Sequence, residues 1–398
     1  MIEDAETGAS RPPHPFDLRT RAVLDVAESR KWSLYPGTIG AWVAEMDFGT
    51  APAVSAALRR AVAEETLGYL SPALAARMGD AVADWMGREH GWAVDPVRVH
   101  PVADVMAALA VAVGEYAPAG SAVIVPTPAY MPFLTYLPAI GHPVREVPGI
   151  MEGGRWRHDL DAIDRAFAEG AATLIVCNPH NPTGTAVPRA ELAAIAEIVE
   201  RHGGRVFADE IHAPLRYGGV SHVPYASVSE AAASHAITGT SASKAWNIPG
   251  LKAAQLITSN DVDEERYRRF GFAAVHGAST LGVVAAIAAF RDGRAWLDDT
   301  LAYLDGNRRE LAALLAEEVP SAVYTPPDAT YLAWIDLRQL TVVGDAPADF
   351  LRERAGVAMT DGRLCGAGFE GFVRFVFAMP RPLLVEAVRA MGAALRGA

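Results

Sequence analysis

Three short segments carry reactive side chains in order along the chain: Asn178-Pro179-His180-Asn181-Pro182-Thr183-Gly184, Asp209-Glu210-Ile211-His212 and Ser241-Ala242-Ser243-Lys244-Ala245-Trp246-Asn247. Each follows a β-rich run, at Thr173–Cys177, Arg205–Ala208 and Ala236–Thr238. An amide, a carboxylate and a lysine are thus delivered in turn to one edge of one sheet, where open α/β sheets gather their ligands. Taken singly, each has an ordinary explanation. Lysines belong on surfaces, an aspartate suits a helix cap, and Asn-Pro-Thr-Gly suits a turn. Their ordered arrival on successive strands is the stronger signal.

That trio is what pyridoxal 5′-phosphate (PLP) requires of a protein. The cofactor is an electron sink whose protonated pyridine nitrogen takes up the charge left on Cα of an amino acid. A buried carboxylate keeps the nitrogen protonated. A lysine amine carries the cofactor as a Schiff base and, once released, acts as the base at Cα. The ring 3-oxygen needs a donor such as an Asn amide. The phosphate needs hydroxyls, backbone N–H groups and a cation.

The elements that would position these groups alternate between two periods. Apolar residues recur at helical spacing in Ala51–Ala63, Ala73–Trp85, Val105–Tyr116, Arg189–Arg201, Thr280–Phe290, Ala295–Leu315 and Leu383–Leu395. Further β-rich runs lie at Ala122–Val125 and Ala253–Thr258. Strands alternating with helices predict an α/β fold, a mainly parallel sheet covered on both faces. A long helical stretch from Thr280 to about Val319 follows. Beyond it Ala329–Leu337 and Phe372–Ala378 read as strands of a smaller α+β unit. The expected division is an N-terminal segment, 1–50, joining the small domain, a large cofactor-binding domain, 51–290, and a small C-terminal domain, 291–398.

Composition narrows the field. The chain has 398 residues, of which 51% are hydrophobic and 21% charged, so it buries a large core and is not disordered. A net charge of -12 excludes a basic footprint for nucleic acid. No apolar run is long enough to span a membrane, and Met1–Pro13 lacks the pattern of a signal peptide. The protein is expected in the cytoplasm, with Cys177 and Cys365 as reduced thiols. There is no Gly-rich dinucleotide fingerprint, phosphate-binding Gly-Lys-Ser/Thr loop, His-Glu-x-x-His or Gly-x-Ser-x-Gly. His100, His202, His222 and His276 lack metal-ligand spacing, so no metal is expected.

Across most of its length the chain resembles fold type I PLP enzymes of the aspartate-aminotransferase superfamily, and within it the MalY/PatB group of cystathionine β-lyases. The resemblance is carried by Lys31-Trp32, Trp42 to Phe48, Gly68-Tyr69, Asp104-Val105-Met106, Pro126 to Tyr130, Cys177 to Gly184, Asp209 to His212, Ser241 to Lys252 and Gly371 to Arg374. It implies a role for each matching position. Lys244 is the Schiff-base lysine and proton-transfer base, and Asp209 pairs with the pyridine nitrogen. Asn181 and His212 face the ring 3-oxygen, and Tyr130 stacks on the ring. Ser241, Ser243, Lys252 and the N–H groups of Val105 and Met106 receive the phosphate. Tyr69 reaches a phosphate across a homodimer interface. Arg374 clamps the α-carboxylate of a small amino-acid substrate, with Trp42 near it.

The implied activity is α,β-elimination from cystathionine or an S-substituted cysteine. Two other readings stay open at the level of residues: an aminotransferase, which uses the same groups, and a PLP-binding regulatory protein with weak catalysis. The chain departs from the group at Leu364-Cys365, where Phe-Gly is frequent, and at Phe375-Val376 after the arginine, which bears on substrate identity more than on the cofactor.

Overall fold

The computed structural model describes residues 13–25 and 28–397, the side chains of 272 and 275 aside. The acidic, Pro-rich stretch 1–12 lies outside the described residues. Seven strands form one sheet: β1 (Val99–Val102), β2 (Val123–Thr127), β3 (Val144–Pro148), β4 (Thr173–Cys177), β5 (Arg205–Asp209), β6 (Ala236–Thr240) and β7 (Ala254–Thr258). Across the sheet they run β1-β7-β6-β5-β4-β2-β3. Strands β2 to β6 are parallel, and β7 is antiparallel to both β6 and β1. β1 therefore points the same way as β6.

Alternation along the strands fills two cores. Leu174, Val176, Val206 and Ala208 join the larger one. Ile175, Cys177, Phe207 and Ile237 face the other side, against the helix Val105–Tyr116. Burial on both faces explains why these strands read as continuous apolar runs. The helix at 105–116 and strand β4 have the bounds their periodicity predicts.

The sequence reading did not find β1 or β3. They are the two edges of the sheet. β1 is four residues long and contains Pro101, and β3 leaves Arg145 and Glu146 exposed, so neither shows the apolar run of an interior strand. Helices at Met131–Ala139, Leu160–Ala168 and Asp261–Val275 were also not found. The long helical stretch is two helices, Thr280–Asp292 and Arg294–Glu318, in line with its two runs of helical spacing. The break is at Gly293, whose carbonyl accepts the Trp246 indole N–H at 3.0 Å. A Cβ there would lie 2.3 Å from that nitrogen.

A second sheet of four strands holds β8 (Val323–Tyr324), β9 (Leu332–Asp336), β10 (Thr360–Asp361) and β11 (Phe372–Val376), in the order β8-β9-β11-β10. The N-terminal segment is fastened to this part of the chain. Ile39–Gly40 pairs with Val357–Ala358. Lys31, 1% exposed, donates its Nζ to Asp47 Oδ2 at 2.8 Å and to the carbonyls of Glu45 and Ala378 at 3.2 Å. The Trp32 indole donates to Asp47 Oδ1 at 2.9 Å, so the buried carboxylate has both oxygens engaged. Breaking such a pair strands a charge in the core.

Lys31→Met is expected to destabilise the protein by about 3–5 kcal/mol, with Lys31→Met/Asp47→Leu recovering much of the loss. Urea-denaturation midpoints of the three proteins check this.

Candidate active site

The carboxyl ends of β1, β2, β4, β5 and β6, with the entry to β7, open into one cavity of about 190 Å³. Its lining includes Ala44, Asp104, Val105, Met106, Tyr130, Asn181, Asp209, His212, Ser241, Ser243, Lys244 and Lys252. The three segments that follow β4, β5 and β6 therefore do converge.

Lys244 is half-buried, and its Nζ donates to the Ala44 carbonyl at 3.0 Å. Burial and, next, the Arg374 guanidinium push its pKa down to about 8, while the carboxylates of Glu45 and Asp209 oppose the shift. The chain has only three lysines. Lys31 is held by Asp47 and Lys252 by Asp104, at 2.9 Å. Lys244 has no carboxylate partner among the described residues. An amine that is partly neutral near pH 8 can act as a nucleophile or a base.

Asp209 ends β5. One oxygen accepts the Ile211 N–H at 3.1 Å, and burial raises the carboxyl to about 7. Lys244 and the Ile211 N–H pull the other way, and Glu210 adds to the rise. A carboxyl this costly to ionise invites a cationic N–H partner.

Arg374, 2% exposed, sits on β11 between Val373 and Phe375, which point into the core. Its Nη1 donates to Asn181 Oδ1 at 3.1 Å, and its Nη2 to the Trp42 carbonyl at 2.8 Å and Thr360 Oγ1 at 3.2 Å. Its Nε is buried without a partner. With five N–H groups and three engaged, two donors remain for a carboxylate. Asn181, its oxygen taken, keeps its amide nitrogen to donate.

His212 is buried and neutral, its pKa pushed well down by burial and then by Lys244 and Arg374, and its Nδ1 has no partner. Tyr130 lines the cavity, its ring perpendicular to Phe133 at 5.4 Å. Val105 and Met106 open a helix capped by Asp104, which accepts the Ala107 N–H at 2.8 Å. Ser241 donates to the Ala253 carbonyl at 2.8 Å and accepts the Ser243 N–H at 3.0 Å.

Two expected residues lie elsewhere. The Trp42 ring does not line the cavity. Its indole donates to the Lys31 carbonyl at 3.1 Å, its ring meets Tyr35, and its carbonyl holds Arg374. Tyr69 is 92% exposed, beside His276 in a separate surface hollow.

The sequence reading missed Ala44, whose carbonyl also accepts the buried Tyr331 hydroxyl at 2.9 Å, and Thr360. A carbonyl carries no sequence signal, and Tyr331 sat inside a run read only as a strand. Of the departures from the group, Phe375 and Val376 are fully buried core residues, and Cys365 is buried with its carbonyl accepting the Ala129 N–H at 2.7 Å. Both cysteines are free, and among the described residues no histidine, cysteine and carboxylate cluster could hold a metal.

The residues fit PLP. A carboxyl and an amine that have no charged partner among the described residues line one hollow with a helix N-terminus and the orphaned nitrogen of His212, and Arg374, with an orphaned nitrogen of its own, bonds the lining residue Asn181.

Comparison with known proteins agrees. The model of the aminotransferase class I and II family matches residues 43–391. The cystathionine β-lyase of Corynebacterium glutamicum is 37% identical over 97% of this chain and 100% of its own length. The cystathionine β-lyase PatB of Bacillus subtilis is 32% identical over 89% of this chain and 92% of its own. The crystal structure of a putative PLP-dependent β-cystathionase from Corynebacterium diphtheriae superposes with a TM-score of 0.88 at 39% identity, covering 96% of this chain and 98% of that one.

The Asp209 pKa sets a pH signature. The folded carboxyl keeps its proton up to about pH 7, whereas its ordinary value is 3.8. Stability from that proton is complete below the ordinary value and is lost as the pH rises towards 7. The melting temperature of the apoprotein should fall relative to that of Asp209→Asn between pH 4 and 7. Scanning calorimetry showing a pH-independent difference would contradict the assignment.

Proposed function

We propose a carbon–sulfur β-lyase activity for this chain, which belongs to the aminotransferase class I and II family and to its cystathionine β-lyase group. It is a PLP-dependent enzyme. The observation that carries the reading of the site is Lys244, a half-buried lysine with no carboxylate partner among the described residues, which shares one cavity with Asp209 and with Asn181, the residue that Arg374 bonds.

PLP, when bound, supplies an electron sink for the pair released from Cα. Lys244 holds it and then takes the Cα proton at Nζ. Asp209 keeps the ring nitrogen protonated, and Asn181 with His212 faces the ring oxygen. Tyr130 covers the ring. The N–H groups of Val105 and Met106, with Ser241, Ser243 and Lys252, receive the phosphate. Arg374 uses its two free N–H groups to fix the substrate carboxylate, and so fixes where the Cα–H bond points. The Cβ–S bond then breaks, and the sulfur leaves with the bonding pair as a thiolate. The released three-carbon remainder hydrolyses to pyruvate and ammonia.

Cystathionine or an S-substituted cysteine is the substrate class, and the setting is cytoplasmic amino-acid metabolism. We read residues 51–290 as the cofactor unit, 291–398 as the small unit, and 1–50 as the segment joining it. We read the working form as a homodimer in which Tyr69 reaches the partner's phosphate. Its exposure, next to the exposed Leu67 and a hollow of about 1050 Å³, supports that assembly.

L-Cystathionine should yield pyruvate in a coupled assay with no keto acid added, and Lys244→Ala should lower kcat by at least about 10³-fold, the scale of losing a group that both attacks and moves protons. Product formation that depends on an amino acceptor would make the enzyme an aminotransferase.

A further inference from the structure

A second hollow, of about 260 Å³, adjoins the cofactor cavity. Both are lined by Pro249, and the consecutive residues Ala44 and Glu45 face one each. Its wall is held rigidly. Asn247, in the left-handed conformation at φ 56°, accepts the Met46 N–H at 2.9 Å and donates to the carbonyls of Met46 and Gly49 at 2.8 and 3.0 Å. Thr50 adds a bond to the Trp246 carbonyl at 2.6 Å. The hollow is thus pinned to the segment that presents Lys244.

Three charged side chains line it, Arg19, Glu45 and Asp47. Asp47 is consumed by Lys31 and Trp32. Arg19 and Glu45 are half-buried and are not paired with each other, and neither side chain has an ion pair or hydrogen bond among the described residues. The Arg19 Nε is buried without a partner. Unpaired polar atoms of this kind are rare in folded proteins and call for a partner. Glu45 also lies close enough to Lys244 for its charge to be felt there. A guanidinium and a carboxylate held apart across one hollow complement a zwitterion, with a carboxylate for the first and an ammonium for the second.

We propose that this hollow is the subsite for the leaving half of the substrate, selecting thioethers whose departing thiol is itself an α-amino acid. Its carboxylate goes to Arg19 and its ammonium to Glu45. The inference rests on the lyase reading above and narrows it. S-alkyl cysteines would react without using the hollow, whereas a substrate with an amino-acid headgroup a few bonds beyond sulfur would fill both sites at once.

The test compares L-cystathionine with S-ethyl-L-cysteine. Arg19→Met should lower kcat/KM for cystathionine roughly ten- to hundredfold, the scale of a lost charge-assisted hydrogen bond, and that for S-ethylcysteine by less than about threefold. Arg19→Lys should fall between, and Glu45→Gln should move in the same direction as Arg19→Met. Equal losses on both substrates would overturn the proposal. A second arm uses PLP-loaded Lys244→Ala and reads Kd for the two compounds by calorimetry, with and without Arg19→Met. Cystathionine should bind tighter by roughly tenfold or more, and Arg19→Met should erase the preference. A preference that is absent, or that survives Arg19→Met, would overturn the subsite. If the wild-type enzyme releases no pyruvate from either compound, the lyase reading fails, while the binding arm still decides the subsite. Should Arg19→Met not fold, Arg19→Lys and Glu45→Gln carry both comparisons.

Discussion

Two cations meet at the site, Lys244 half-buried in the cavity wall and Arg374 buried against the lining residue Asn181, and among the described residues neither has a carboxylate to pair with. Each instead donates to a main-chain carbonyl of the same short segment, Lys244 to Ala44 and Arg374 to Trp42. Withdrawing an ammonium in part and a guanidinium fully from water is costly, and their mutual repulsion lowers the pKa of Lys244 further. What they gain is readiness. The site holds positive charge in a low dielectric with donors left free, so an anionic ligand meets groups that need no reorganisation. The acid on the opposite wall, Asp209, complements them by resisting ionisation until a cationic N–H group arrives.

Everything that holds residues 42–47 in place therefore serves the chemistry. The Lys31–Asp47 pair is the main brace. It lies in the core, ties the N-terminal segment to the Ala378 carbonyl after β11, and so links the strand that carries Arg374 to the turn that receives Lys244. Asn247 fastens the same segment from the other side. The two sheets contribute opposite halves of the site, and this segment joins them. That is a physical reason for the Lys31-Trp32 and Trp42-to-Phe48 motifs, whose side chains mostly brace the segment and whose carbonyls do the holding.

The parallel strands and their ends were readable because burial on both faces leaves a plain apolar run followed by turn residues. Asn181, Asp209 and Lys244 could be placed from that alone. The edge strands β1 and β3 were not readable, since one is short and contains a proline and the other has exposed positions along it. The gap between the two helical runs around Gly293 was legible, but the Trp246 ring that packs there, 47 residues distant in sequence, was not. Ala44 shows the deeper limit. Its contribution is a carbonyl, which every residue owns, and only the fold reveals which carbonyl meets the amine. Arg19 and Glu45 were equally silent, since a charge without a partner is visible only in three dimensions.

The central claim is that one lysine of three carries the cofactor. Borohydride reduction of the yellow protein, followed by proteolysis and mass mapping, tests it directly. The reduced pyridoxyl phosphate mass should appear on the peptide containing Lys244 and on no other. The label on Lys31 or Lys252, or a protein that takes up no PLP and gains no label, would contradict the account.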